Sequence, residues 1–420
     1  RHLKTVGVIN ENPVTGITEI ADPLGVICGI TPTTNPTSTV IFKSLISLKT
    51  RNPIIFAFHP SAQQCSKLAA QVVYEAAVAA GAPKDCIQWI EHPSMDATTA
   101  LMKHPGVATI LATGGNAMVK AAYSCGKPAM GVGAGNVPAY VEKTANIKQA
   151  VNDIVMSKAF DNGMICASEQ AAIIDKEIYD ETIQEFKKYG VYFVNKEEKT
   201  KLEKYMFGYQ AQQEGCENAK LNADVVGRPA TWIASQAGFE VPANTVILGV
   251  ECPSVGVKEP LTREKLSPVL AFLKAKNTDD GMQKAEQMVE FNGLGHSAAI
   301  HTASQQLADE FGERVKAMRI IWNSPATFGG IGNIYNSFLP SLTLGCGSWG
   351  GNSVSENIGV KHLLNVKTVA ERRENMLWFR APEKVYIKKG CLPVALKELK
   401  DVMGKKRVFI VTDSFLFKSG

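Results

Sequence analysis

Cys166 stands at a place in the sequence where a nucleophilic thiol would be useful. It follows a short turn that contains Gly163 and precedes a predicted strand at 170–174, close to a predicted junction between two domains. A free thiol has a pKa of about 8.5 and is only about 3% ionised at pH 7, so a nucleophilic cysteine needs helix N–H groups or a cation nearby. By position alone, Cys166 is either a catalytic thiol or a small buried side chain.

Asn35 is a second candidate for chemistry. It lies in a turn rich in threonine and proline, between a predicted strand at 26–30 and a predicted helix. A side-chain amide in such a turn can donate a hydrogen bond to a carbonyl oxygen that gains negative charge, and losing such a donor costs about 10²–10³ in rate. The alternative interpretation is an asparagine that only stabilises the turn.

Two glycine-rich segments could bring backbone N–H groups close to a ligand. Thr113, Gly114 and Gly115 follow a predicted strand and open a helix, and a helix N-terminus is a place where phosphates bind. The spacing is not a full GxGxxG motif, so this pattern alone is weak evidence. Residues 131–136, which include Gly133, are predicted to form a loop between strands that either approaches a ligand or makes a tight turn.

His59, His296 and Glu264 are candidates for polar contacts or acid-base chemistry. Both histidines have apolar or small neighbours, so a structural histidine with satisfied hydrogen bonds is an equal alternative. Glu264 precedes a predicted strand at 269–274, and its alternative interpretation is a solvated carboxylate at the end of a helix. The nine cysteines include no Cys-x-x-Cys pair and no Cys/His spacing typical of a metal site, so no metal ligand is predicted.

The elements that must position these residues alternate between strands and helices. Such alternation is typical of βαβ units and of a mainly parallel sheet covered on both faces, with ligands bound at the carboxyl ends of the strands. Near residue 161 the pattern restarts, which predicts a second α/β domain. The strands predicted before that point are 26–30, 54–58, 86–90, 107–112 and 137–141.

The end of the sequence predicts the opening of a further α/β domain. A linker at 376–384 precedes residues 385–420, in which we expect a strand at 385–387, a helix at 393–403 and a strand at 407–412. This βαβ unit is left unfinished at residue 420, so we expect the sequence to be cut from a longer polypeptide.

Composition limits the class of protein. The chain has 420 residues, 45% of them hydrophobic and 20% charged, which is the balance of a globular protein with a sizeable core. The net charge of +5 comes from basic residues interleaved with acidic ones, so no nucleic-acid partner is predicted. No apolar run approaches the ~20 residues that span a bilayer, and scattered cysteines fit a reducing cytoplasm.

Taken together, the motifs resemble the NAD-dependent aldehyde dehydrogenase superfamily over residues 6–370. The motifs that carry the resemblance are residues 31–36, 113–115, 133–138, 162–166 and 264–268. Residues 160–170 and 340–353 are similar to the CoA-acylating branch, and the tail from Val385 resembles the start of an iron-dependent alcohol dehydrogenase. That order is the pattern of the bifunctional aldehyde–alcohol dehydrogenases of fermenting microbes.

The resemblance implies a fold and a set of roles. It implies a Rossmann-type NAD-binding domain at 1–160 with a returning segment near 350–375, and a catalytic cysteine domain at 161–349. Cys166 matches the nucleophile, and Asn35 with the Cys166 backbone N–H matches the oxyanion site. For the cofactor, Glu264 matches the contact to the nicotinamide ribose, and Thr113, Gly114 and Gly115 match the contact to the pyrophosphate. The loop with Gly133 also belongs to the cofactor-binding match, and His59 stands where many relatives have a lysine at the adenosine ribose. Asp413 matches the contact to the nucleotide ribose in the alcohol dehydrogenase part.

One departure from the family pattern favours CoA as acyl acceptor. Relatives that use water carry a general-base glutamate just before a Gly-Gly-Lys-Ser-Pro-like stretch, whereas residues 131–138 contain no carboxylate. Hydrolysis of a thioester needs a base to activate water, and a CoA thiol needs less help. The resemblance therefore implies reversible conversion of acetaldehyde, CoA and NAD to acetyl-CoA and NADH, coupled in the longer protein to ethanol.

The remaining expectations concern assembly and the missing parts. Relatives of this kind form homo-oligomers and helical filaments, and their iron ligands lie in the part that follows residue 420. Family length implies roughly 100 further residues before Arg1. Two alternatives stay open: a monofunctional acylating aldehyde dehydrogenase, and a cysteine acyltransferase or thioesterase without redox chemistry, which NAD binding would distinguish.

Overall fold

The computed structural model describes residues 2–373 and 379–419, and of Asn116 it describes only the backbone. The chain forms two units, one of Arg1–Glu11 with Thr18–Val369 and one of Asn12–Ile17 with Ala370–Gly420. The strands are β1 (Gly7–Asn12), β2 (Ile17–Pro23), β3 (Val26–Ile30), β4 (Ile54–Ala57), β5 (Ile87–Trp89), β6 (Val107–Thr113), β7 (Ala129–Val132), β8 (Val137–Val141), β9 (Glu169–Asp175), β10 (Val191–Phe193), β11 (Ile247–Glu251), β12 (Val269–Ala275), β13 (Gly295–His301), β14 (Ala317–Trp322) and β15 (Leu364–Ala370).

The helices cover both large sheets and also occur in the tail. They are α1 (Pro36–Lys49), α2 (Gln63–Ala79), α3 (Met95–Lys103), α4 (Asn116–Tyr123), α5 (Ile147–Ala159), α6 (Tyr179–Lys188), α7 (Lys196–Phe207), α8 (Ala230–Ala237), α9 (Thr278–Asn292), α10 (Gln305–Arg314), α11 (Ala326–Ile331), α12 (Leu392–Asp401) and α13 (Ser414–Ser419). A small third sheet has the order β1-β2-β15.

The first large sheet has five parallel strands in the order β5-β4-β3-β6-β7. Its strands are apolar on both faces, as a sheet covered on both sides requires, and β3 and β6 are almost entirely buried. Ile358 and Leu363 return from the far end of the chain to the core that contains Ile27 and Ile54. The predicted α/β fold with a parallel, Rossmann-type sheet is confirmed.

The second large sheet has seven parallel strands in the order β10-β11-β12-β9-β8-β13-β14. The sheets divide the chain at a different place from the predicted boundary at residue 160. Strand β8 pairs with β9 and β13, so the first sheet ends at Val132 and the second begins at Val137. Sequence order placed β8 with the strands before it, whereas its pairing partners come later in the chain.

The tail differs from its prediction in part. Helix α12 lies where a helix was predicted, but residues 385–387 and 407–412 form no strand. A parallel strand is stable only beside another strand, and neither segment pairs with one in the part of the chain that the structure describes. The predicted linker begins in the undescribed residues 374–378, and 379–384 form neither helix nor strand.

Replacing Phe186 by alanine tests the core of the second sheet. Its ring is fully buried and meets Phe272 edge-on, with 4.9 Å between ring centroids. We expect the substitution to lower the free energy of unfolding by about 3–5 kcal/mol, because it removes buried area and leaves a cavity. Urea unfolding followed by near-ultraviolet circular dichroism measures this.

Tyr189→Ala is the matched control, since Tyr189 ends the same helix and is 38% exposed. It should change the free energy of unfolding by no more than about 0.5 kcal/mol. Equal effects of the two substitutions would contradict the described packing of α6 on β12.

Candidate active site

A cavity of about 890 Å³ lies where the two large sheets meet. Its volume is that of a typical ligand pocket, for which the range is about 300–1,000 Å³. The first sheet contributes the residues that follow the carboxyl ends of β3, β4 and β6, and the second contributes Cys166, three residues before the amino end of β9. Eight predicted site residues line it: Asn35, His59, Thr113, Gly114, Gly115, Gly133, Cys166 and Glu264.

The turn before Cys166 is held in a conformation that few residues adopt. Asp161, Asn162 and Gly163 have φ values of 52°, 48° and 70°, and for the first two such left-handed backbone is uncommon. The Asn162 side chain donates to the Gly227 carbonyl at 3.0 Å, and a Cβ at position 163 would lie 2.6 Å from the Ser267 carbonyl oxygen. These contacts hold the backbone of the turn in place and so fix the direction in which the chain enters Cys166.

Cys166 rests as a thiol. Its pKa is raised to about 12, mainly by burial and to a smaller extent by the Glu264 carboxylate and by Cys346, while the charge of Arg319 acts in the opposite direction. The residue is partly exposed because it lines the cavity. A nucleophilic role therefore requires a positive charge or a base that acts on the thiol once ligands are bound.

Glu264 is held at the wall of the cavity by the loop opposite. The Gly135 N–H donates to its Oε1 at 3.2 Å, and burial raises the pKa of the carboxyl to about 7 against the effects of this bond, Lys158 and Lys265. Glu264 follows the short 3-10 helix Pro260–Thr262 by two residues, but it is partly buried, so it is not the fully solvated carboxylate of the alternative interpretation.

Asn35 precedes α1 but makes no side-chain bond to the N–H groups of that helix. Its Oδ1 instead accepts a hydrogen bond from the Thr34 hydroxyl at 3.1 Å. That bond orients the amide and occupies its oxygen, which leaves the Nδ2 hydrogens to donate. Since Asn35 lines the same cavity as Cys166, the arrangement fits a donor to a developing oxyanion.

The glycine segment after β6 leaves room for a ligand against the backbone. Gly115 is the residue before α4, and a Cβ placed on it would meet nothing within 4 Å. Thr113, the last residue of β6, is bonded through its hydroxyl to the Thr343 hydroxyl at 3.2 Å. Open space beside the first turn of a helix suits the pyrophosphate of a dinucleotide. His59 also faces this cavity, and its Nδ1 accepts from the Ser61 N–H at 3.3 Å.

The loop between β7 and β8 is shorter than predicted. Gly131 and Val132 belong to β7, so only residues 133–136 connect the two sheets. A Cβ on Gly135 would lie 2.4 Å from the Cys166 carbonyl oxygen and 2.9 Å from the His296 ring. Of the described residues that line the cavity, Glu264 alone carries a carboxylate.

Buried charges around the site are the feature that sequence reasoning missed. Lys158, Lys265 and Arg319 are almost completely buried, and burial lowers the pKa of Lys158 to about 7. The Lys265 ammonium donates to three backbone carbonyls, of Gln170, Leu261 and Arg263. The sequence feature that could have indicated such a buried charge is a single basic residue within an otherwise apolar element, as at Arg319 in β14.

Two predicted candidates lie elsewhere. His296 is fully buried in β13 and does not line the cavity, although its ring packs on Gly135. Asp413 belongs to the smaller unit, where its carboxylate accepts from the N–H groups of Phe415 and Leu416 and caps α13. Within residues 2–373 and 379–419, no group of three or more His, Cys, Asp or Glu is arranged to hold a metal ion. None of the helices described there has the length and apolar character to cross a membrane.

Comparison with known sequences relates the chain to one group of enzymes. A family model described as the aldehyde dehydrogenase family matches residues 1–203. The aldehyde-alcohol dehydrogenase of Streptococcus pneumoniae serotype 4 is 67% identical over all 420 residues, which cover 47% of that relative. The sulfoacetaldehyde dehydrogenase of Acholeplasma sp is 39% identical over 88% of this chain and 75% of its own length. The chain thus spans about half the length of the aldehyde-alcohol dehydrogenases that it matches.

Solved structures give the same relationship. An acetylating aldehyde dehydrogenase from Geobacillus thermoglucosidasius superposes with a TM-score of 0.85 at 46% identity, covering 90% of this chain and 81% of that one. A propionaldehyde dehydrogenase from Rhodopseudomonas palustris, solved with bound CoA and an acylated cysteine, has a TM-score of 0.76 at 29% identity, covering 84% and 77% of the two chains.

Replacing Gly135 by alanine tests the close contact behind Cys166. The new Cβ would overlap the Cys166 carbonyl, so the nucleophile or the loop must move. We expect a loss of about 1–3 kcal/mol in stability and an altered alkylation rate at Cys166. Thermal unfolding and mass-spectrometric mapping of iodoacetamide-labelled peptides measure the two effects. Gly115→Ala, where the Cβ meets open space, should change neither.

Replacing Glu264 by glutamine tests the electrostatic coupling at the thiol. Because the Glu264 carboxylate raises the pKa of Cys166, its removal should lower that pKa and raise the alkylation rate at pH 8. Each unit of pKa gives up to about tenfold more thiolate. Glu197→Gln, at an exposed position on α7, is the control. An unchanged rate in the Glu264 variant would contradict the coupling.

Proposed function

The chain belongs to the aldehyde dehydrogenase family, and we propose that it oxidises a small aldehyde, acetaldehyde, to its CoA thioester with NAD as hydride acceptor, and catalyses the reverse reaction. The observation that carries this proposal is the pairing of Cys166 and Asn35 in one cavity whose loop 133–136 offers no carboxylate to activate water. The names of relatives that are acetylating or that bind CoA support it.

The first step uses the residues of the cavity wall. The Cys166 sulfur would attack the aldehyde carbonyl carbon, and the oxygen that gains charge would accept hydrogen bonds from Asn35 Nδ2 and the Cys166 backbone N–H. The Cys166 proton must first pass to water in the cavity, and the Arg319 charge favours the thiolate that remains. The product of this step is a hemithioacetal on Cys166.

In this proposal the open space beside Thr113, Gly114 and Gly115 would take the pyrophosphate of NAD, and Glu264, which lines the same cavity, would bind a ribose hydroxyl. Bound there, NAD would accept the hydride that leaves the hemithioacetal carbon and so convert the adduct to a thioester. The chain's own residues keep the adduct fixed: the turn at 161–163 holds Cys166, and the Thr34 hydroxyl holds the Asn35 amide.

The second half of the reaction transfers the acyl group. The CoA thiol would attack the thioester carbon, and the Cys166 sulfur would leave, so one C–S bond forms as another breaks. The proton that the CoA thiol loses would pass to the Cys166 sulfur or to water. Water is a poorer nucleophile than a thiol and needs a base, which loop 133–136 does not supply. The same steps in reverse reduce acetyl-CoA to acetaldehyde.

We also propose that this chain is the aldehyde-oxidising part of a bifunctional protein that interconverts acetaldehyde and ethanol. Its similarity over its whole length to enzymes named aldehyde-alcohol dehydrogenase, about twice as long, supports this. In that proposal iron binds in the part of the relatives' length that these 420 residues do not match. The protein is cytoplasmic and fermentative, and it forms homo-oligomers or helical filaments. Asp413 would then contact the nucleotide of the second part.

The experiment follows NADH formation from NAD and acetaldehyde with and without CoA. We expect turnover only with CoA, and a loss of more than about 10³-fold in Cys166→Ala. Cys65→Ala, at an exposed cysteine on α2, is the control and should keep the rate of the unmodified chain.

Two outcomes would contradict the proposal. Oxidation to acetate without CoA would mean that another group activates water. The acyltransferase alternative would be favoured by two results together: acyl groups exchange between acetyl-CoA and Cys166, and calorimetry detects no binding of NAD.

A further inference from the structure

A second cavity lies at the carboxyl edge of the second sheet. This carboxyl-edge crevice has a volume of about 320 Å³ and is bounded by the loops that follow β8 and β13, by the first turn of α5 and by Asn323. Cys166 instead precedes the amino end of β9, at the opposite edge of the same sheet. The crevice shares no lining residue with the cavity that contains Cys166, so it is a separate feature of the molecule.

The order of the strands opens this crevice. Strand β8 leads through α5 to β9, whereas its neighbour β13 leads through α10 to β14, so the two connections run in opposite directions from adjacent strands. Helix α5 packs on the face of the sheet that contains Ala139 and Val141, and α10 packs on the face that contains Tyr140 and Ile300. In sheets of parallel strands, ligands bind outside the carboxyl ends at such a switch point.

Hydrogen bonds give the walls of the crevice a fixed shape. The Asn323 side chain accepts from the Thr302 N–H at 3.0 Å and donates to the Thr302 carbonyl at 2.8 Å. Gln149 of α5 donates to the Asn323 carbonyl at 3.2 Å. The Thr144 hydroxyl accepts from the Ala303 N–H at 3.1 Å, which joins the loop after β8 to the loop after β13. A ligand would therefore enter a site that is already ordered.

His301 ends β13 and lines the crevice with a side chain that lacks a partner. The residue is 2% exposed, and its Nε2 is buried without a hydrogen-bond partner among the described residues. Burial lowers the pKa of His301 to about 4, so the imidazole is neutral near pH 7 and carries one N–H. Buried polar atoms are nearly always paired, so this nitrogen indicates a ligand in the crevice.

The amino end of α5 brings donors and positive charge to the same place. Asn146 caps this 13-residue helix and lines the crevice, and its Oδ1 accepts from the Gln149 N–H at 3.2 Å. The Asn146 amide nitrogen still has hydrogens to donate. The first N–H groups of a helix have no acceptor within it and give this end a partial positive charge that favours anions.

The charges around the crevice favour an anion over a metal ion. Among the described residues that line it there is no Asp, Glu or Cys, so a metal ion would meet one imidazole and neutral oxygens. Glu142, in the loop after β8, does not line it. The Glu142 Oε2 already accepts from the Thr144 N–H, the Thr144 hydroxyl and the Thr302 hydroxyl, which offsets its charge.

We propose that the carboxyl-edge crevice is a second ligand site, which takes a small oxyanion: phosphate, sulfate or a carboxylate group. The oxygens of the ligand accept from the Nε2–H of His301, from the Asn146 amide and from the amino end of α5. The volume lies near the lower end of the range for ligand pockets, about 300–1,000 Å³, so the ligand is small. This site is independent of the proposed function, because it lies outside the cavity of Cys166 and needs no turnover.

The test is ¹⁵N nuclear magnetic resonance of the 420-residue chain with labelled histidine, titrated with inorganic phosphate at pH 7.5 and constant ionic strength. The His301 signals are those that disappear in His301→Gln. We expect the Nε2 signal of His301 to move with a saturable dependence on phosphate concentration. His59 lines the first cavity and reports separately on phosphate bound there. A His301 signal that does not respond to any oxyanion overturns the proposal.

Asn146→Asp tests the contact at the start of α5. Aspartate caps a helix about as well as asparagine, so the fold should be kept, but a carboxylate then replaces an amide donor beside the anion. We expect phosphate binding, measured at His301, to weaken at least about tenfold, since like charges repel. Asn195→Asp makes the same change at the start of α7, outside the crevice, and should leave binding unchanged. Equal binding in the two variants would contradict the proposal.

Sulfate and acetate identify the class of oxyanion. A response to phosphate and sulfate alone assigns a tetrahedral oxyanion, and a response to acetate extends the site to carboxylates. Both results support the proposal. A response that follows the concentration of sodium chloride overturns it, because no oxyanion is then required. If Asn146→Asp fails to fold, which urea unfolding would show, the titrations of the unmodified chain decide.

Discussion

The active site depends on one close backbone contact, at Gly135. Four residues, 133–136, carry the chain from the carboxyl end of β7 in one sheet to the amino end of β8 in the other. Within that short crossing, Gly135 contacts the Cys166 carbonyl and the His296 ring and donates to Glu264. The buried Asn136 side chain anchors the next residue to the carbonyls of Thr262 and Met288. These contacts tie the crossing between the sheets to the nucleophile and to Glu264.

Local patterns in the sequence were enough to find the residues of the cavity. Glycine, asparagine and cysteine at turns after strands mark positions where backbone or polar atoms face a ligand, and parallel strands bring such turns to one edge. Asn35, Thr113 and Gly114 were found in this way. Cys166 and Glu264 precede their strands, and the resemblance to the family assigned their roles. Their roles stay predictions, because the geometry shows which atoms are available and not which ligand uses them.

Other features of the structure could not be predicted from local patterns in the sequence. Strand β8 looks like its predecessors in the sequence, yet it pairs with β13, which lies more than 150 residues later. The strands predicted at 385–387 and 407–412 would each need a partner strand, and within residues 2–373 and 379–419 neither segment pairs with one. The burial of Lys158 follows from three-dimensional packing, since a lysine in a helix with several polar residues is expected at the surface.

The left-handed turn before the nucleophile also affects the chemical stability of the chain at Asn162. Asn162 and Gly163 form an Asn-Gly pair, the dipeptide in which a backbone nitrogen most readily attacks the preceding side-chain amide and releases ammonia. In the folded chain that amide is engaged by the Gly227 carbonyl, and Gly163 is enclosed by the Ser267 backbone. Deamidation at this site passes through a succinimide that opens largely to isoaspartate, which would insert an extra backbone carbon four residues before Cys166. We therefore expect the contacts of the folded turn to slow the loss of a correctly positioned nucleophile.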